Sequence, residues 1–401
     1  MNPRRTNKKT AQLIPSIVSV LLLAAIAFLL GAARTQAQCT QILSGLRQPI
    51  GSGLTDQGNL LIAESGTGEA HTGRLSIVDP DGNLRTLLDG LPSAPADVGD
   101  PSGPTGFVMR GRILYLLVGT GDVGIMGPLP GTTLENPNGP SSPIFSSILA
   151  IHISPFVERN TVGFTLAPDD EQALADGQVV TLSNGGPDKI TIQVVVDFPN
   201  FIPFPLQDVP DNIQVSNPYG LASIGNMLYA TDGGRNHVWQ VNLRTRDFSP
   251  LVAFADIPNP LFPDIGGPFL QAVPTGIAVA SGQLLVTLLR GAPFPTGTST
   301  VEQIDPRTGS DTEFISNLTT AIDIRPFRGR SPSGYLVLEA SSEGPFFSGP
   351  GTVLRFDDPA DPPVVVADCL TPVPSSMTFN NRNKTLYVTQ TDGELIAISL
   401  Q

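Results

Sequence analysis

Apolar residues in this chain come in short bursts, and the same phrase introduces most of them. Pro49-Ile50-Gly51 precedes Leu60-Leu61-Ile62-Ala63, and Pro104-Thr105-Gly106 precedes Ile113-Leu114-Tyr115-Leu116-Leu117-Val118. Pro218-Tyr219-Gly220 precedes Met227-Leu228-Tyr229-Ala230, and Pro274-Thr275-Gly276 precedes Leu284-Leu285-Val286. Two looser copies follow: Ile322-Asp323-Ile324 before Tyr335-Leu336-Val337-Leu338, then Pro374-Ser375-Ser376 before Leu386-Tyr387-Val388. Runs this short, bounded by Gly, Pro, Asn and Asp, read as strands rather than helices. Glycine (41) and proline (39) among 401 residues fit many strands joined by turns.

The unit starts, near 49, 104, 218, 274, 321 and 374, lie mostly about 50 residues apart, the period of a β-propeller blade. Each unit reads as strand A at the Pro-x-Gly, strand B as the apolar run, a Gly-rich loop, strand C, a turn and strand D. Asp79-Pro80-Asp81-Gly82 and Asp305-Pro306-Arg307-Thr308-Gly309 have the chemistry of C–D turns. The interval from 104 to 218 is double length, which leaves seven blades as the alternative. Residues 154–200 contain no further Pro-x-Gly with its apolar run. They read as an insertion, with acidic Pro168-Asp169-Asp170-Glu171 and then a hairpin from Gln178-Val179-Val180-Thr181 to Ile190-Thr191-Ile192-Gln193 through Asn184-Gly185-Gly186. The expectation is an all-β, six-bladed propeller.

The last unit stops after its strand C, whereas Gln41-Ile42-Leu43-Ser44-Gly45-Leu46 matches the strand D pattern of Arg85–Leu91 and Val364–Leu370. The N-terminal strand should therefore complete the last blade and close the ring. This bears on Cys39 and Cys369. In an exported protein the two invite a disulfide, yet one falls at the start of a strand D and the other at the end of the preceding D, on the opposite face. A strand of four or five residues would hold them roughly 13–17 Å apart, beyond disulfide reach.

Charge separates the first 37 residues from the rest. Arg4, Arg5, Lys8 and Lys9 precede an apolar stretch from Ile17 to Leu30, and Thr35-Gln36-Ala37 follows with the spacing of a signal-peptide cleavage site. Export with cleavage near Ala37 is the expectation; an uncleaved membrane anchor is the alternative. Residues 1–37 hold five of the 23 basic and none of the 36 acidic side chains, so the remainder carries 18 against 36, a net charge of −18. Nucleic acid and anionic membrane surfaces are poor partners for such a chain. A monomer with a small molecule or protein at the channel mouth fits it better.

In a ring of this kind the D–A and B–C loops share one face, the mouth. The first residue past strand B aligns as Glu64, Val118, Asp232, Leu288, Glu339 and Gln390. Glu64, Asp232 and Glu339, in alternate blades, are candidate ligands for a hard cation such as Ca²⁺, with Asp122 and Glu343 in adjacent B–C loops to assist. The alternative is that acids at strand ends cap glycine-rich turns. His71 and His237 lie in B–C loops, where either is a candidate general base or a solvated loop residue; Gln390 is a further mouth candidate. The long loop Gly119–Ser147 is a candidate lid or ligand wall. No His-Glu-x-x-His or Gly-x-Ser-x-Gly pattern occurs, which disfavours zincin and α/β-hydrolase chemistry.

Ser216-Asn217-Pro218-Tyr219-Gly220, Ala272-Val273-Pro274-Thr275, Gly291-Ala292-Pro293-Phe294-Pro295-Thr296-Gly297 and Tyr335-Leu336-Val337-Leu338-Glu339 come in the order and spacing of the ScyD/ScyE family. So do Ala63-Glu64-Ser65-Gly66-Thr67-Gly68 and Gly90-Leu91-Pro92-Ser93. The chain resembles these exported, NHL-repeat-related propellers from about residue 41 to 400. The resemblance implies an exported propeller of the cell envelope with no assigned activity, some members being encoded beside scytonemin pigment biosynthesis. The chain departs from the pattern in the 154–200 insertion and in Thr287-Leu288 at the end of a strand B. Two functional classes follow: a binding or scaffold propeller, or a Ca²⁺-dependent, lactonase-like hydrolase with its site at the channel mouth.

Overall fold

A computed structural model of the chain describes residues 38–328 and 333–400; the segment expected to direct export lies outside them. Six sheets, each with four blade strands in the order A-B-C-D, make a six-bladed β-propeller. Their A strands begin at Pro49, Pro104, Pro218, Pro274, Ala321 and Pro374. The units predicted from the repeat are therefore the blades observed.

Every strand A departs from regular register just after its first residue, so the start of the unit marks a β-bulge in each blade, with Pro-x-Gly in the first four and without it in the last two. The B strands are buried almost throughout; Leu60–Glu64 is covered at every position. Continuous burial replaces in–out alternation because both faces of each blade pack on neighbours. Blades 2 and 3, for example, join through Leu117, Ile148, Leu228, Trp239 and Val241. Truncating one such leucine to alanine should cost about 2–5 kcal/mol.

The ring closes as the N-terminal strand predicts. Cys39–Leu43 pairs antiparallel with Leu395–Ser399, Cys39 lying opposite Ile398 and Leu43 opposite Leu395. The reading of the cysteines is overturned: Cys39 and Cys369 form a disulfide across a Cα separation of 6.5 Å. Strand twist is the reason. Neighbouring strands turn by roughly 20–25°, so from A to D the direction swings by about 60–75°. The outer strands then run around the rim, and the end of one D strand meets the start of the next. The bond staples the closing strand to blade 5.

The 154–200 insertion needs redrawing as well. Its hairpin exists, with Val180 opposite Ile192, but the second arm, Lys189–Asp197, is itself strand D of blade 2, paired with Ser147–His152. The insertion proper lies between strands C and D and adds Val180–Ser183 as a fifth, outermost strand. It also holds two short helices, α1 (Pro155–Asn160) and α2 (Pro168–Ala175). Buried Glu158 on α1 accepts from Arg112 at 2.7 Å and Asn59 at 3.0 Å, tying the insertion to the face opposite the mouth. Phe164–Thr165 then adds a parallel strand to the end of blade 1's strand D, which brings α2 to the mouth side.

Candidate functional site

The central channel is lined by the A strands, and the glycines of Pro-x-Gly set its width. A Cβ on Gly51 would lie 2.4 Å from the Thr105 carbonyl oxygen, on Gly106 2.3 Å from that of Tyr219, and on Gly220 2.5 Å from that of Thr275. Each glycine admits the backbone of the next blade. The space left among the A strands is ≈ 30 Å³, room for roughly a water or two.

Blade 5 breaks the phrase, placing Asp323 where four blades have glycine. Asp323 is buried and pairs with Arg325 at 3.1 Å. It also accepts the amides of Ile324 and Met377, both at 2.9 Å. Burial pushes its carboxyl above the ordinary range, with Arg325 and the amides opposing. Arg325 donates onward to the carbonyls of Met377 (2.9 Å) and Ile277 (3.3 Å), joining blades 6 and 4 through blade 5. Tyr219 crosses the channel to the Ser375 carbonyl at 3.0 Å, and burial, then the nearby Asp323, raises its phenol strongly. The channel is filled by polar groups that satisfy one another. The signal for Asp323 was present in the sequence, as the break in the glycine position.

The strand-end acids have local employment. Glu64, fully buried, accepts from Arg74 through both oxygens (2.9 and 2.6 Å), from the Arg47 amide (2.6 Å) and from Ser76. Asp232 accepts the amides of Asn217 (2.7 Å) and Arg235 (3.1 Å), the Trp239 indole (2.9 Å) and Ser216. Glu339 accepts the Thr319 amide at 2.8 Å, and Gln390 the Thr371 amide at 2.8 Å. In all four blades this side chain ties the incoming D–A connection to the end of strand B. The structure does not gather the three carboxylates around an ion. Among the described residues no group of three or more His, Cys, Asp or Glu is placed to hold a metal.

The other candidates scatter. Asp122 closes its own loop onto Ser141 (2.8 and 3.0 Å), and Glu343 is exposed. His237 is buried against Trp239, with ring centroids 4.2 Å apart and Nε2 lacking a hydrogen-bond partner. Burial holds its imidazole down to about 4, the Asp232 charge opposing. His71 is partly exposed and its Nδ1 meets Glu171 of α2 at 2.9 Å, a partner the sequence did not suggest because only folding of the insertion brings it there. Ser142 donates to the same carboxylate at 2.6 Å. The serine thus bonds to the acid and not to the imidazole, which is not the order of a nucleophile–base–acid triad.

What the mouth face does present is a set of loops outside the repeat. Four two-stranded ribbons stand on it, at 94–95/101–102, 124–126/133–135, 201–203/213–215 and 257–258/269–270. Thr133 knits the first three, bonding Asp97 through Oγ1 (2.5 Å) and Asn212 through its amide (2.9 Å). The loop Gly119–Ser147 is therefore an ordered wall. The B–C loops of blades 4 and 5 join through Phe346 N–H to the Pro293 carbonyl (3.0 Å) and the Phe294–Phe347 ring contact (4.3 Å). Apart from the 340–350 loop, blades 5 and 6 contribute short connections, at 44–48, 319–320, 371–373 and 391–394.

No family model matches the chain, and no curated protein does. Solved structures match by fold. The apo aldose sugar dehydrogenase of Escherichia coli aligns over 91% of this chain and 100% of its own, with 12% identity and a TM-score of 0.51. A gluconolactonase from Xanthomonas campestris aligns over 94% and 93%, at 13% identity and TM-score 0.47. A streptogramin B lyase aligns over 92% and 100%, at 14% and 0.44. At such identities the likeness is one of propeller architecture.

Proposed function

We propose that this chain is an exported, non-catalytic binding propeller whose ligand or partner docks on the mouth-face loops. One observation carries the reading. Of the sixteen large hydrophobic side chains exposed among the described residues, nine sit in mouth-face loops, among them Met126 (69%), Phe269 (61%) and Phe346 (59%). Exposed apolar side chains concentrated on one face mark an interaction surface. In the channel beneath, Asp323, Arg325 and Tyr219 are engaged with one another's blades. A Ca²⁺ site on Glu64, Asp232 and Glu339 would first have to break the bonds holding the D–A connections. The disulfide supports an oxidising compartment, and the ScyD/ScyE resemblance points the same way.

The test is uptake of the neutral apolar dye Nile red. Wild type is expected to bind it, and M126S/F204S/F262S/F346S to lose most of the signal. F156S/V162S, which removes two exposed apolar residues from the insertion, should keep it. Equal loss in both variants, or none in the first, would overturn the reading.

A further inference from the structure

Apolar exposure says where a partner sits, and the charges around it say what kind. The loops of the mouth face contain twelve acidic side chains, none of them buried, against three arginines and no lysine. The three arginines are already committed. Arg47 pairs with Asp89 at 3.1 Å, Arg235 lies over the Trp239 ring at 6.0 Å, and buried Arg290 donates to the Thr298 carbonyl at 3.1 Å. Both lysines that follow residue 37, Lys189 and Lys384, belong to the opposite face. Among the described residues the mouth face therefore carries more than half of the exposed large hydrophobic side chains and a strong excess of negative charge.

Resting on the reading of this face as a docking surface, we infer that its occupant is a basic polypeptide segment carrying apolar side chains, of the amphipathic lysine- or arginine-rich kind. Apolar anchors fit among the phenylalanine-bearing tips, and the cations meet acids that outnumber the arginines of this face. Phe204 and Phe262 are flanked in sequence by the exposed residues Asp208, Asp211, Asp256 and Asp264; among the described residues none of these four side chains is seen in a hydrogen bond, and Asp256 lies within electrostatic reach of Arg290. An anionic bilayer would meet the same carboxylates as like charge. The hydrogen-bonded ribbons hold the surface in place before binding, which lowers the ordering cost. At physiological salt only charges within about 8 Å act strongly, so the face in contact governs the choice of partner more than net charge does.

The experiment compares two fluorescein-labelled amphipathic peptides of one pattern, Lys/Leu and Glu/Leu, by anisotropy with the disulfide-intact protein. The Lys/Leu peptide is expected to bind, more weakly as salt rises, and the Glu/Leu peptide not to bind. D208N/D211N/D256N/D264N should lower affinity about tenfold and flatten the salt dependence. D56N/D81N/D188N/D361N, which removes four charges away from this face, should change it less than about twofold. Equal loss in the two sets would overturn the inference as unspecific charge attraction. Equal binding of both peptides, or capture of anionic vesicles instead, would overturn the charge argument. If neither peptide binds while Nile red uptake still depends on Met126, Phe204, Phe262 and Phe346, the docking surface stands and the basic partner falls.

Discussion

The channel wall and the loops above it lie on one axis of the same ring and are built by opposite rules. In the wall each blade contributes the same bulge and, in four of six, the same glycine. The carboxylate there, Asp323, is held by Arg325 and two amides. In the loops nothing repeats: four ribbons serve blades 1–4 and two- to four-residue links serve much of blades 5 and 6. Polar groups in the wall are spent on joining blades, whereas several carboxylates and phenylalanines in the loops, among them Asp208, Asp211, Phe204, Phe262 and Phe346, are left facing water. Repeated positions build the ring, and departures from the repeat that point outward are free to serve a partner.

The sharpest way to break this contrast is to leave a buried charge unpaired. Arg325→Met strands Asp323 in the channel, and Glu64→Gln strands Arg74; each should cost about 3–5 kcal/mol in denaturant unfolding. The double variant D323N/R325M should recover part of the loss, because no ion then remains unpaired. Wild-type stability in Arg325→Met would mean that the wall is not sealed as described, and in Glu64→Gln that the strand-end tie to Arg74 and Arg47 is not needed for folding.

Next in size is the seam. Cys39→Ser with Cys369→Ser should lower stability by roughly 2–4 kcal/mol, comparing oxidised wild type with the variant. An unchanged unfolding midpoint would show that strand pairing alone holds the closing strand.

How much was legible beforehand divides along the same line. The blades and closure could be read because Pro-x-Gly and the strand D pattern recur, so six weak local signals reinforced one another. Cys39–Cys369 was misjudged because sequence spacing has no twist in it. Lys189–Asp197 was taken for part of an insertion because the segment between strands C and D hid its place in blade 2. Glu171 beside His71 had no signal, since a contact across a hundred residues of irregular chain follows no period. Asp323 did have one, as a break in the glycine position, and alignment of the third residue of each phrase exposes it.

A smaller effect separates capping from metal binding at the mouth. Burial raises the Glu339 carboxyl above its ordinary 4.5, with the Thr319 amide opposing. A carboxyl that holds its proton more tightly when folded contributes stability below its unfolded value and loses it as pH rises through the raised one. Glu339→Gln keeps an oxygen for the Thr319 amide, as Gln390 does for Thr371 in blade 6. The variant should therefore gain on wild type as pH rises above about 4.5, and chelator should leave both melting temperatures alone. A chelator-dependent loss in wild type that Gln abolishes would restore the metal reading.

The smallest effect belongs to the loops. Met126→Ser and Phe346→Ser remove side chains that are 69% and 59% exposed, so each should change stability by no more than about 0.5 kcal/mol. Thermal melts of the single variants check this. A loss of several kcal/mol from either would mean that the tip is clamped by neighbours, and the division between a packed wall and available loops would fail where it matters for binding. Wild-type melting with reduced dye uptake would place these side chains outside the folding energetics and leave docking as their remaining physical role.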